Sequence, residues 1–260
     1  MNMILKRVPT GIKELDKMMY GGFLPNSANL IEGAPGTGKT TIGMQFIYNG
    51  IVQYDEPGLI ITFEEFPKQY YHDALQFGWD FKKLEDDGRL KIIFSDPETV
   101  LREFEKMDGE FVSLMEQMKT KRVVVDSITH FESLALDPFD LREKERTFIN
   151  ALKRENVTSI LLRENDSLLG QLNQATSKIA FIVDSYFLLR YVEVDSSIRK
   201  AIIILKMRGS DHHKDIHQFV CTKDGIEVES TFSGREGIMS GITHHTPQDA
   251  FVNVFGKKKK

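Results

Sequence analysis

Residues 33–41 read GAPGTGKTT, and no other stretch limits the fold of this chain as tightly. It follows the apolar run SANLIEG (27–33) and opens TTIGMQFIYNG (40–50), whose apolar residues recur at helical spacing and which ends in Asn49-Gly50, a stop signal. Strand, glycine loop and helix in that order fit G-x-x-x-x-G-K-[ST], a loop that wraps phosphate groups. Gly33, Gly36 and Gly38 let the backbone turn its N–H groups inward, and a helix starting near Gly38 aims its positive end at an anion. Ala34, Pro35, Thr37 and Thr41 complete the loop; Lys39 reaches the β and γ phosphates, and the Thr40 hydroxyl suits Mg²⁺. The competing reading is a glycine-rich turn before an ordinary helix.

Such a loop needs a parallel sheet behind it, and the chain supplies the pattern. Strand-like GLIITFEE (58–65), RLKIIF (89–94), KRVVVDSI (121–128) and VTSILLREN (157–165) alternate with helical KQYYHDALQFGW (68–79), VLREFEKMDGEFVSLMEQM (100–118) and EKERTFINALKREN (143–156). Continuous apolar strands between helices predict an α/β fold: a mostly parallel sheet covered on both faces. From about 179 the connections shorten. IAFIVDSYFLLRYVEV, KAIIILKM and HQFVCTKDGIEV read as strands added antiparallel to the same sheet, with KDG (223–225) as a hairpin turn. One domain over 1–246 is expected, with 247–260, ending GKKKK, as a solvated basic tail.

With 260 residues, 41% of them apolar, 28% charged and a net charge of −4, composition is that of a globular protein and gives no reason to expect a nucleic-acid coat. Cys221 is the sole cysteine, which excludes an internal disulfide or multi-cysteine zinc site. No apolar run reaches the length of about 18 that a membrane span needs, and MNMILKRVPTG is too poor in apolar residues for a signal peptide, so a cytoplasmic protein is expected.

Three features outside the loop carry chemistry. Asp126 ends a buried strand, where a carboxylate can hold Mg²⁺ through water, although an Asp at a strand end is also a common helix cap. Glu64 and Glu65 read as the end of another strand, pointing to opposite sides. One can polarise an attacking water; equally, both can be a solvated pair opening the next helix. Finally, LKMRGSDHH (205–213) closes an apolar run with cations, and strand alternation puts Lys206 and Arg208 on one face with Met207 on the other. His212, His213, His217, His244 and His245 do not fit the helical spacing of a zinc enzyme and have no supporting cysteine, so exposed or phosphate-adjacent histidines are expected.

From about Thr10 to Thr246 the chain resembles the KaiC branch of RecA-like P-loop ATPases. TGIKELDKMMYGG, GAPGTGKTT, TFEE, FGWDF, RVVVDSIT and above all LKMRGSDHH carry the resemblance. It implies a RecA-type core in a homo-oligomeric ring, usually of six subunits, with Mg·ATP between neighbours. It implies Glu64 as the catalytic carboxylate, with Glu65 beside it, and Mg²⁺ at Thr40, Glu64 and Asp126. Phe77 is implied near the adenine, in a position the family fills variously. Lys206, Met207, Arg208, Ser210 and His212 are implied to reach the nucleotide of the adjacent subunit, with Lys200 and Lys214 at the rim. KaiC has two such domains; this chain resembles one, and its later part is more similar to the second.

One departure matters. Alignment on DSYFLLRYVEV puts Ala180 and Phe181 where the second KaiC domain carries its phosphorylated hydroxyl pair, with Thr176 and Ser177 out of register. Autokinase activity is therefore not expected. The loop LRENDSLLGQLNQATS (162–177), which in recombinases binds DNA, holds one Arg, no Lys and no aromatic, so a DNA-acting motor is disfavoured and a protein partner is expected. A non-hydrolysing, ATP-dependent assembly module is the remaining alternative to an ATPase switch.

Overall fold

The computed structural model describes residues 6–106, 108–165 and 178–232, together with the backbone at 235–236 and 244–245. Nine strands form one sheet in the order β3-β2-β4-β5-β1-β6-β7-β8-β9. They are β1 (Ala28–Gly33), β2 (Gly58–Thr62), β3 (Leu90–Phe94), β4 (Arg122–Asp126), β5 (Thr158–Glu164), β6 (Ser185–Val194), β7 (Ser197–Met207), β8 (His217–Thr222) and β9 (Gly225–Thr231). Strands β1 to β6 are mutually parallel where they pair. The three that follow join antiparallel. The antiparallel part thus begins at β7, one strand later than the sequence suggests. A two-residue ladder, β10 (Arg235–Glu236) with β11 (His244–His245), lies outside this sheet. The predicted tail, 247–260, falls outside the described residues.

Helices cover both faces. On one lie α1 (Lys13–Met18), α2 (Lys39–Tyr54), α3 (Pro67–Leu75) and α4 (Phe81–Asp86); on the other α5 (Pro97–Glu105), α6 (Glu110–Met118) and α7 (Pro138–Arg154). Each face has its own apolar core, which is why β1, β2 and most of β4 and β5 are buried along their length.

Asn49-Gly50 does not stop α2, which runs to Tyr54 and ends at Asp55 in a left-handed conformation. Both residues serve packing instead. The Asn49 side chain donates to Thr10 O at 3.1 Å, and a Cβ on Gly50 would stand 2.3 Å from Arg122 Cδ. The fully buried Arg122 donates through Nε to Glu56 (2.7 Å) and through Nη1 to Phe46 O (2.9 Å).

The helix expected over 100–118 is two helices. It breaks before Gly109, where the Glu110 N–H is taken by Glu103 Oε2 at 2.9 Å. The strand expected from 179 begins only at Ser185; Lys178–Phe181 form a 3₁₀ turn whose Ile179 and Ala180 are buried in the second core.

Candidate nucleotide site

The parallel strands β1, β2, β4 and β5 all end on one side of the sheet, and the loop 33–38 leaves β1 there. The helix α2 begins at Lys39 with Gly38 as its N-cap at φ 108°. Gly36 has φ 73°, and a Cβ there would lie 2.8 Å from the hydroxyl of Tyr191, which reaches over the loop to donate to Pro35 O at 3.3 Å. The positive φ and the Tyr191 hydroxyl both disfavour a side chain at 36. Thr37 Oγ1 donates to Ala34 O at 2.7 Å, closing the loop on itself.

Lys39 Nζ donates to Ala34 O at 3.1 Å. Burial pushes its pKa down, opposed by Glu164, Asp126 and Glu64. Thr40, on the first turn of α2, donates to Asp126 Oδ2 at 2.7 Å, and the same oxygen accepts from Tyr70 of α3 at 2.9 Å. Burial raises the Asp126 pKa despite these two bonds. A hydroxyl and a carboxylate in contact, with a second carboxylate in electrostatic range, form a hard-oxygen donor set that suits Mg²⁺.

The strand pairing Thr62↔Asp126 delivers Glu64 and Glu65 to this place. They lie in the bend after β2 rather than on the strand, so side alternation does not assign their directions. Glu64 Oε1 is 3.1 Å from His130 Nε2, whereas burial pushes the Glu65 carboxyl up, with Asp73, Asp126 and Glu64 adding to it. Both line an open depression of about 590 Å³ with Phe66, Lys68, Gln69 and His72. Phe77, Trp79 and Tyr48 form a stack, centroids 4.7 and 5.4 Å apart, that fixes Phe77 against the α2-side core. Tyr70, His130, Glu164 and Tyr191 were not legible as site residues, because each arrives from an element distant in sequence.

The second cation group lies elsewhere. Arg208 N donates to Asp184 O (2.7 Å), Asp184 N to Ala28 O (2.8 Å), and Ala28 N to Asp184 Oδ2 (2.9 Å). Arg208 therefore sits by the start of β1, and the phosphate loop leaves its end, roughly 17 Å away at strand rise. Three cations surround Asp184: Lys153 at 2.6 Å, Arg208 at 4.0 Å and Lys206 within electrostatic range. Lys206 Nζ donates to Ala180 O (2.8 Å) and Val183 O (2.6 Å); burial lowers its pKa first, and Arg208 lowers it further. The Met207 side chain is in the core. Ser210 Oγ accepts from Arg7 at 2.6 Å and donates to Asp211 O. His212 is buried, with Nε2 unpartnered among the described residues.

The two expected rim lysines separate. Lys214 stays with this group, bonded to Asp211 and to His212 O. Lys200 pairs in register with Tyr191 and lies 6.0 Å from its ring, so it stands beside its own phosphate loop. The cause is that β7 crosses the whole sheet, carrying Lys200 and Lys206 to opposite ends. Ala180 is buried and Phe181 exposed, and neither offers a hydroxyl; Thr176 and Ser177 lie outside the described residues.

A sequence profile for the family described as "ATPase: KaiC" matches residues 8–232. This chain belongs to the KaiC ATPase family. It is 34% identical over 257 residues to circadian clock protein KaiC3 of Synechocystis sp., covering 96% of this chain and 49% of that one. It is 35% identical over 229 residues to circadian clock oscillator protein KaiC of Parathermosynechococcus lividus (84% and 41%), and 33% identical over 259 residues to KaiC of Prochlorococcus marinus (96% and 48%). The chain spans about half the length of these curated relatives. Among the described residues no helix is long and apolar enough to cross a membrane.

Proposed function

We propose that this KaiC-family domain, residues 1–246, binds Mg·ATP at the 33–41 loop and hydrolyses it slowly in a homohexameric ring, which switches state and signals to a protein partner. The observation that carries the reading is the convergence of Lys39, Thr40, Asp126 and Glu64 at one end of the sheet. The loop N–H groups of residues 36–41 and the α2 N-terminus hold the phosphates. Lys39 compensates their charge, and Thr40 and Asp126 hold the metal with Glu64. Bound Mg²⁺ offsets charge on the phosphate oxygens. Glu64, whose carboxylate lies 3.1 Å from His130 Nε2, orients and polarises the attacking water.

The sheet geometry supports completion of the site by a neighbour. A cation group some 17 Å from its own phosphate loop cannot serve that loop, but a head-to-tail ring sets one subunit's strand starts against the next subunit's strand ends. The exposed Arg208 then faces the γ-phosphate in trans, and Lys206 joins it only on releasing its bonds to Ala180 O and Val183 O. The side chains of Met207, Ser210 and His212 are engaged in packing or hydrogen bonds within their own subunit, so their role there is to shape the loop that presents Arg208. Phosphate release by purified protein, compared with Glu64→Gln, tests hydrolysis. A fall of roughly 10²–10⁴-fold with ATP binding retained is expected; equal turnover in both proteins would remove the catalytic role.

A further inference from the structure

His213, Asp215 and His217 follow one another at intervals of two along the link from β7 to β8, and one ligand atom of each lies within 4.8 Å of the others. Asp215 lies at a bend of that link, and the bend leaves the carboxylate and the two imidazoles together, so a spacing that fails the helical zinc pattern still gathers three ligands here.

His217 carries the strongest sign of a ligand. Its Nδ1 is 2.9 Å from Glu229 O, and a carbonyl only accepts, so Nδ1 bears a proton; in the neutral imidazole this leaves the lone pair on Nε2. That Nε2 is buried and has no hydrogen-bond partner among the described residues. A buried acceptor without a donor is costly, and a metal ion satisfies it without supplying a proton. A backbone carbonyl behind the opposite ring nitrogen is the usual support of a metal-bound histidine. His213 is held as well: its N–H donates to Met18 O at 2.9 Å, and its ring packs edge-on to Tyr20, centroids 5.3 Å apart.

We propose that His213, Asp215 and His217 form a divalent metal site, with Zn²⁺ the ion of choice, that clips the loop bearing Arg208 to α1 and β9. Two imidazoles and a carboxylate match the ligand preference of Zn²⁺ and leave a fourth position for water. Zinc bonds of about 2.0–2.2 Å require ligand atoms about 3.3 Å apart, so the group closes by roughly 1.5 Å on binding. Asp215 is exposed and outside the core, so its carboxylate is free to move in, and the two imidazoles draw together for the remainder. The site adjoins the loop that carries Arg208 and His212, but its three ligands are none of the residues assigned to the nucleotide, and it stands whether or not the domain hydrolyses ATP.

The test is equilibrium dialysis of the tag-free full chain against Zn²⁺ in excess Mg²⁺, with Co²⁺ absorption as a spectroscopic probe. One Zn²⁺ per chain is expected, together with visible Co²⁺ bands and a raised thermal midpoint. Asp215→Asn, which removes an exposed ligand without touching the core, should weaken binding roughly 10–100-fold, and His213→Ala should do at least as much. His244→Ala/His245→Ala should bind as the wild type does. Failure to retain Zn²⁺ at about tenfold excess, or binding in Asp215→Asn and His213→Ala within about twofold of wild type, overturns the site.

Discussion

Replacing Arg208 by alanine separates a role within the subunit from a role across subunits. Within its own chain Arg208 has little to lose. Its side chain is 60% exposed, and its nearest carboxylate oxygen, on Asp184, is 4.0 Å away. Exposed pairs of this kind contribute about 0–1 kcal/mol. Some of even that is returned, because Arg208 is a repulsive neighbour of the half-buried Lys206. Arg208→Ala should therefore shift the thermal midpoint by no more than about 3 °C in a domain of this size. Across the ring the arithmetic differs. Removing one preorganised donor from a charge-developing centre costs about 3–4 kcal/mol, a fall in kcat of roughly 10²–10³-fold. The assay is paired: thermal unfolding of the isolated chain, and phosphate release at saturating Mg·ATP with assembly followed by light scattering. Unchanged turnover and assembly in a folded Arg208→Ala protein would refute the reasoning. A midpoint loss well beyond 3 °C would refute the claim that the side chain is idle in its own subunit.

Three further outcomes follow from the packing. The pKa of Glu145, raised to about 7 chiefly by burial against a partial offset from Arg163, means the native state binds a proton that the unfolded chain releases near 4.5. The stability this proton confers is full below the unfolded value and is lost as pH rises through about 7. Glu145→Gln should therefore gain up to roughly 3 kcal/mol on wild type between pH 5 and 8.5 in urea unfolding, and an equal difference at both pH values contradicts this. Arg122→Ala, which empties a fully buried site and strips Glu56 and Phe46 O of their donor, should cost about 3–5 kcal/mol by the same method, with a loss under about 1 kcal/mol counting against it. Gly36→Ala puts a methyl group against the Tyr191 hydroxyl at a positive φ and should sharply weaken nucleotide binding while costing about 1–2 kcal/mol in unfolding; retained affinity would show that the loop can re-form around the methyl group.

What was legible in the sequence was local. GAPGTGKTT announces its own loop and helix because the glycines, the cation and the hydroxyl act within nine residues, and Asp126 is marked by the four buried residues ahead of it. What was not legible depended on distant chain. Tyr70 reaches Asp126 across 56 residues. The hydrophobic period runs unbroken through 100–118, and only the bond from Glu110 N to Glu103 shows where that helix divides. The run IAFIVD is apolar enough for a strand, yet its first residues turn into the second core, an ambiguity that short apolar runs always carry. Lys200 and Lys206 read as one cationic neighbourhood and stand at opposite ends of the sheet, since β7 spans it. His213 and His217 were discounted by helical spacing, and Asp215 was passed over, because nothing in the sequence says that the link after β7 bends to bring them together.

The central claim is that one subunit's cations complete the next subunit's nucleotide site, and active-site complementation tests it most directly. Lys39→Ala lacks the phosphate-loop ammonium and Arg208→Ala lacks the distant guanidinium, so each alone should be nearly inactive. Mixed in equal amounts and allowed to exchange, they should recover about a quarter of wild-type turnover, because that share of random head-to-tail interfaces joins an intact loop to an intact Arg208. Recovery on mixing is the predicted result. A mixture no more active than its separate components, with exchange verified by a labelled subunit, would contradict the account.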